Sequence, residues 1–198
     1  LTFESALVIP VPEAEPVVGD LRTRYDPTAP RGLPAHITVV YPYLHPSALT
    51  QSVFNELNAI FTGVAPFQFT LQAFGRFPEV VYLAPDPTEP FLRLTGAVAT
   101  RWPEAPPYRG IYDELIPHLT VAHTSLPAEV EEVRTKIEPF LPLVCLAGRV
   151  WLLTNRQDRW SIHHQFEFGD DGRDPTKVPT VKPSRRNADR GSHGQSPV

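Results

Sequence analysis

Two segments of this 198-residue chain spell one short pattern, Ala35-His36-Ile37-Thr38-Val39-Val40 and Pro117-His118-Leu119-Thr120-Val121-Ala122. With 7 His, 16 Thr and 19 Val available, random placement yields His-x-Thr-Val only roughly 0.05 times, so a pair of copies is a signal. Both copies read as strands. Side chains alternate faces along a strand, so His36 and Thr38 share one face while Ile37 and Val39 take the other. The same holds for His118 and Thr120 against Leu119 and Val121. Each segment anchors one face in a core and presents an imidazole and a hydroxyl together on the opposite face.

The surroundings of the two segments repeat as well. Helical periodicity and strand alternation give each half the order helix, His-led strand, helix, strand, strand. The first half uses Glu13–Tyr25, His36–Tyr43, Ser47–Thr62, Phe67–Phe74 and Val80–Leu83. The second uses Thr88–Trp102, His118–His123, Ala128–Phe140, Leu143–Leu153 and Trp160–Phe168. An additional strand, Ala6–Ile9, opens the chain. Ser47, Thr88 and Ser125 stand where helix N-caps are expected. This order predicts an α+β fold over residues 1–169, with two related lobes of about 1–86 and 87–169, each a sheet covered by helices. A pseudo-twofold between lobes would bring the two His/Thr pairs into one groove.

Composition bounds the rest. The net charge of −4 argues against a broad basic surface for duplex DNA. Residues 170–198 contain no Leu, Ile or aromatic residue and carry six Lys/Arg against four Asp, a net +2, leaving −6 on residues 1–169. So little apolar material predicts a disordered polar tail, with Arg185-Arg186 solvated. The single cysteine, Cys145, permits no internal disulfide and reads as a small buried thiol in an apolar strand. No apolar run approaches the length of a bilayer span, and the first residues lack the basic n-region of a secretion signal. The expected setting is the cytoplasm, without membrane association.

Two imidazoles and two hydroxyls around one point suit a phosphodiester. A neutral His takes a proton from water or a hydroxyl, and a protonated His gives one to the leaving oxygen. Thr hydroxyls donate hydrogen bonds to non-bridging phosphate oxygens. The scheme uses no metal, and no carboxylate cluster with ligand spacing stands beside either motif. The other histidines receive structural readings: His123 facing away from the site, His45 in a loop, His164 in the core or between lobes. For substrate contacts, an aromatic platform and an Arg are wanted. Phe74, Arg76, Phe77, Arg109 and Tyr112 are the candidates, since they lie in turns flanking the motif strands.

The paired motifs, about eighty residues apart, resemble those of the two-histidine (2H) phosphoesterase superfamily, and most closely its 2′-5′ RNA ligase-like members, also described as RNA 2′,3′-cyclic phosphodiesterases. Phe74-Gly75-Arg76-Phe77-Pro78-Glu79-Val80-Val81-Tyr82-Leu83 is similar to the strand-turn-strand that follows the first motif there. The resemblance spans about residues 3–169. It implies two mainly antiparallel sheets with helices outside and a central groove. It also implies metal-independent chemistry without cofactors on RNA ends or nucleotides bearing cyclic or 2′-linked phosphates, in a monomer. By position, His36 and His118 would be catalytic, and Thr38 and Thr120 would bind phosphate. Cleavage or ligation of linear 2′-5′ bonds, and a non-catalytic RNA- or nucleotide-binding module, are the alternatives.

Overall fold

The structure, a computed structural model, describes residues 3–169. The expected disorder of 170–198 and the solvated Arg185-Arg186 pair lie outside the described residues. Eight strands and four α-helices follow in the order β1 (Phe3–Pro10), α1 (Glu15–Tyr25), β2 (His36–Val40), α2 (Gln51–Thr62), β3 (Phe67–Phe77), β4 (Val80–Asp86), α3 (Glu89–Arg101), β5 (Leu119–His123), α4 (Pro127–Ile137), β6 (Leu143–Ala147), β7 (Arg149–Arg156) and β8 (Arg159–Glu167). They form an α+β fold of two four-stranded sheets, ordered β2-β1-β7-β8 and β5-β4-β3-β6. Every strand pairing in them is antiparallel.

Strand pairing runs across the boundary expected at residues 86 and 87. The opening strand β1 is the counterpart of β4, because each lies beside a motif strand and leads into a helix. The repeating unit is therefore strand, helix, motif strand, helix, strand. It ends after β3 and begins again at β4. Strands cross between the halves: β3 pairs with both β4 and β6, and β7 pairs with β1. Neither sheet is built from one half of the chain alone. The run Leu143–Leu153, expected as one strand, divides at Gly148, where the chain passes from the second sheet (β6) to the first (β7). An apolar run of strand-forming residues does not reveal by itself that its two ends belong to different sheets.

Helix amphipathicity supplies the core. Leu57 and Phe61 of α2, Phe91, Leu94 and Val98 of α3, and Val133 and Ile137 of α4 are all buried. They meet Leu7, Ile9, Ile37 and Val39 from the first sheet and Phe69, Leu71, Leu83, Leu119 and Val121 from the second in one continuous apolar cluster. Each such side chain contributes roughly 1.5–3 kcal/mol on burial. Phe91 stands edge-on to both Phe67 and Phe69, with ring centroids 5.2 and 5.1 Å apart. The start of α2 differs from expectation. Thr50 caps the helix, its Oγ1 accepting from the Val53 N–H, while Ser47 lies in a preceding short 3-10 turn. Pro46 favours that turn by fixing its own φ.

Two helices cross between the sheets. α1, which leads into β2, packs on β5 of the other sheet; α3, which leads toward β5, packs on β2. The Thr95 hydroxyl of α3 donates to the Val39 carbonyl at 2.9 Å. This exchange occupies the outer faces of both motif strands and leaves their other faces to the groove. Among the described residues, no helix is long and apolar enough to cross a membrane.

Candidate active site

β2 and β5 are the edge strands of their respective sheets, and they lie against each other. Their burial alternates as the pattern requires: Ile37, Val39, Leu119 and Val121 are buried, whereas His36, Thr38, His118 and Thr120 are half-buried. The His36/Thr38 and His118/Thr120 pairs thus come from two sheets to one groove. His118 lies near enough to oppose a positive charge on His36.

The two imidazoles are held in the same way. His36 Nδ1 is 2.7 Å from the Pro34 carbonyl oxygen, and His118 Nδ1 is 2.7 Å from the Ile116 carbonyl oxygen. A carbonyl only accepts, so each Nδ1 carries the proton, and each Nε2 is the nitrogen free to take or give one. Burial pushes the His36 pKa down to about 4, against the pull of the Pro34 carbonyl and with the Arg22 guanidinium adding to the fall. Burial also lowers that of His118, with the Ile116 carbonyl opposing. In both rings burial thus favours the neutral form.

A buried ionic network fixes the approach to His36. Arg22 of α1 and Asp26, the residue that caps its C-terminus, both 2% exposed, pair at 2.9 Å. The same Arg22 Nη2 donates to the Leu33 carbonyl at 3.0 Å. Glu15 accepts the Ala35 N–H. Asp26 Oδ1 accepts from the N–H and hydroxyl of Thr28, at 2.9 and 2.7 Å. Residues 33–35, immediately before the catalytic candidate, are thereby tied to one helix. Sequence reasoning passed over this network, because a buried Arg looks like any surface Arg until its partners are known.

The substrate-contact candidates separate clearly. Phe77 flanks the site, edge-on to the His118 ring with centroids 5.1 Å apart. Tyr82, not anticipated, lies 5.2 Å from His118 and stacks under Phe77 at 4.5 Å. Tyr82 opposes Thr120 on one side and Gly75 on the other. A Cβ added at Gly75 would fall 2.1 Å from the Tyr82 ring, so only glycine leaves that ring its place. Phe74 does not reach the groove: it opposes Leu83, itself opposite Leu119, and packs on the main core. Arg76 opposes Val81 on that same face, exposed and turned away from the site. The reason is the pleat, which sends alternate residues of one strand to opposite faces.

Arg109 and Tyr112 belong to the connection between α3 and β5. Arg109 is exposed, 3.8 Å from Glu4. Tyr112, also exposed, meets the Tyr108 ring edge-on at 5.6 Å. Tyr108 is the residue of this segment that reaches the motif: its phenol interacts with the Thr38 hydroxyl, and its N–H donates to the Tyr41 carbonyl at 2.6 Å. Tyr108 and Arg109 both adopt left-handed backbone conformations, with φ of 50° and 59°. Strain of that kind in non-glycine residues concentrates where a site over-determines its geometry.

The remaining histidines are peripheral. His123 is exposed and lies 3.9 Å from Asp26. His45 sits in the loop after β2, accepting from the Ser47 N–H. His164 is exposed against Phe54 of α2 rather than in the core or between lobes. β8 is the outer edge of its sheet, and its outward residues meet solvent. Cys145 is buried, and burial raises its thiol to about 12. Among the described residues, no three His, Cys, Asp or Glu side chains gather as a metal-holding cluster.

Two facing antiparallel sheets whose edge strands bring together a pair of His-x-Thr motifs define a 2H phosphoesterase. A profile of the 2′-5′ RNA ligase superfamily matches residues 10–159, and the chain belongs to that superfamily. Among solved structures, E. coli LigT complexed with 3′-AMP is similar at 14% identity, with a TM-score of 0.56 over 83% of this chain and 97% of LigT. A protein described as a phosphoesterase is similar at 14% identity, with a TM-score of 0.54 over 85% of this chain and 100% of its own. LigT complexed with NADP+ gives 14% identity and a TM-score of 0.54 over 84% of this chain and 98% of LigT. These likenesses establish the fold. No curated sequence matches the chain.

Proposed function

We propose that the protein is a metal-independent phosphodiesterase that opens 2′,3′-cyclic phosphates at RNA ends or on related nucleotides. The observation that carries the reading is the matched pair of Nδ1–H···O=C bonds, which leaves two Nε2 atoms free on adjoining strands. One neutral imidazole removes a proton from water as the oxygen attacks phosphorus. The bond from phosphorus to one ribose oxygen breaks, and the other imidazole, protonated when the anionic substrate binds, delivers its proton to that oxygen. Water is thus added across one P–O bond, and the product is a ribose phosphomonoester with one freed hydroxyl. Thr38 and Thr120 donate to the non-bridging oxygens, where charge grows in the transition state. The structures of the fold relative LigT complexed with 3′-AMP and with NADP+ support a nucleotide-sized ligand.

The test is turnover of a panel of cyclic and linear 2′-5′ phosphodiesters with EDTA present. His36→Ala and His118→Ala should each lower kcat by at least about 100-fold, the usual scale of one general acid or base, with unchanged circular dichroism. Near-wild-type activity in both variants would refute the assignment. Turnover confined to linear 2′-5′ bonds would move the substrate class. Nucleotide binding without turnover would make the protein a binding module.

A further inference from the structure

The end of the first sheet remote from the motifs carries a cleft of about 270 Å³, lined by Phe3, His45, Pro46, Ser47 and Arg156. It opens on the helix side of the sheet. Leu152 of β7 belongs to the main core and Leu153 to the groove-side cluster, so the pleat puts Arg156 on the face of Leu152. The stretch of β1 from Val8, opposite Thr38, to Phe3, opposite Arg156, spans roughly 17 Å. β7 and β8 are joined by Gln157 and Asp158, with φ of 52° and 67°, a two-residue hairpin turn that sets Arg156 directly opposite Arg159. Like charges in that position repel and destabilise the pair of strands. No carboxylate offsets them: Asp158 turns instead to Arg31, at 3.1 Å. Residues 1–169 carry a net −6, and every other Lys and Arg in them except Arg76 has a carboxylate within 4.0 Å. Among the described residues, Arg156 and Arg159 have none. His45 adds a neutral donor to the cleft. Its Nδ1 accepts the Ser47 N–H at 3.2 Å, so the ring proton sits on Nε2, the reverse of the arrangement in His36 and His118. Phe3 stands edge-on to that ring at 6.3 Å.

We propose that this cleft binds a phosphate group between the Arg156 and Arg159 guanidiniums, with the His45 Nε2–H as a third donor. An anion held there removes the repulsion that the hairpin register imposes. Two forked guanidiniums suit a phosphate, with its several oxygens and up to two charges, better than a carboxylate, which one fork satisfies. All three donor residues are exposed, so a phosphate reaches them from solvent without any rearrangement of the core. The cleft lies on the opposite face of the sheet from the catalytic groove, and the inference does not rest on the activity proposed there. The same oxyanion comes either from free phosphate or from the backbone of a single strand long enough to pass from the groove around the end of the sheet.

The experiment has two arms, neither of which needs turnover. In the first, the arginine Nε–H signals of the full chain are followed by NMR while inorganic phosphate replaces chloride at constant ionic strength. Arg156 and Arg159 should shift together along one saturating curve, and the Arg156 shift should collapse in Arg159→Gln. Arg76, exposed and equally without a carboxylate, is the internal control. In the second arm, binding of a fluorescent single-stranded oligouridylate is measured against salt for wild type and for the Arg156→Gln/Arg159→Gln variant. Loss of one phosphate contact should lower the slope of log affinity against log salt by about 0.7. A response in the first arm alone makes free phosphate the ligand, and a response in the second alone makes it a strand phosphate. Responses in both establish a site open to either source. Phosphate shifts no larger than those of Arg76, together with an unchanged salt slope, overturn the proposal. The substitutions relieve a like-charge pair at the surface, so in phosphate-free buffer the double variant should melt no lower than wild type.

Discussion

Replacing Arg22 by Met should destabilise the protein by about 3–5 kcal/mol, the scale for removing one partner of a buried ion pair. Arg22 and Asp26 are each 2% exposed, with guanidinium contacts to Asp26 Oδ2 at 2.9 and 3.2 Å. Met fills similar space but leaves the buried Asp26 carboxylate with hydrogen bonds from Thr28 only and the Leu33 carbonyl without its donor. For a domain whose whole stability is about 5–15 kcal/mol, this is a large fraction. With a urea m-value of about 2 kcal/mol per M, the midpoint should fall by roughly 1.5–2.5 M. The loss also has a pH signature. Burial alone would raise the Asp26 pKa, but hydrogen bonds from Thr28 and the Arg22 charge outweigh it and hold the carboxyl below its ordinary value. A depressed carboxyl contributes stability above its unfolded pKa and loses it as pH falls through the folded one. The gap between wild type and Arg22→Met should therefore be full at pH 7 and narrow below about pH 4. A midpoint shift under about 0.5 M at pH 7, or a gap that stays constant down to pH 3, would refute this account.

Three further outcomes follow from the same geometry. His36, with its pKa lowered to about 4, binds fewer protons folded than unfolded between that value and about 6.5. Stability should be full above about pH 6.5 and fall as pH drops toward 4, by at most roughly 3 kcal/mol, with a flatter profile in His36→Asn when denaturation is followed across that range. Gly75→Ala drives a methyl into the Tyr82 ring, so chemical denaturation should show a loss of about 1–3 kcal/mol, and kcat should drop because Phe77 and His118 rest on that ring. Cys145, buried with its thiol raised to about 12, should resist a thiol-specific reagent at pH 8 until denaturant is added; rapid native labelling would contradict its placement.

Much of the site was legible before any coordinates. Strand alternation alone placed His36 and Thr38 on one face and Ile37 and Val39 on the other, and the repeat announced that a second pair would join them. The same alternation, carried into β3, would have separated Phe77 from Phe74 and Arg76. Turn proximity was the weaker guide there, because the pleat assigns faces residue by residue. Tyr82 carried a faint signal in Gly75, a glycine within a strand, which often marks a close approach by another group. Tyr108 and the Arg22–Asp26 pair carried none. Their importance comes from neighbours 70 and 7–11 residues distant in sequence: Thr38, and Leu33 with Glu15.

Local pattern determined the elements, the two imidazole–hydroxyl pairs and the surface each pair would present, because periods of 2 and 3.6 residues are written directly into side-chain order. Only the tertiary structure decided which sheet each strand would join. The exchange of β3 and β7, the break at Gly148 and the crossing of α1 and α3 are settled by hydrogen-bond register and by which apolar faces find each other. Those are relations between distant segments, and no single stretch of chain contains them. The groove follows from that choice, since it sets the two edge strands β2 and β5 against each other.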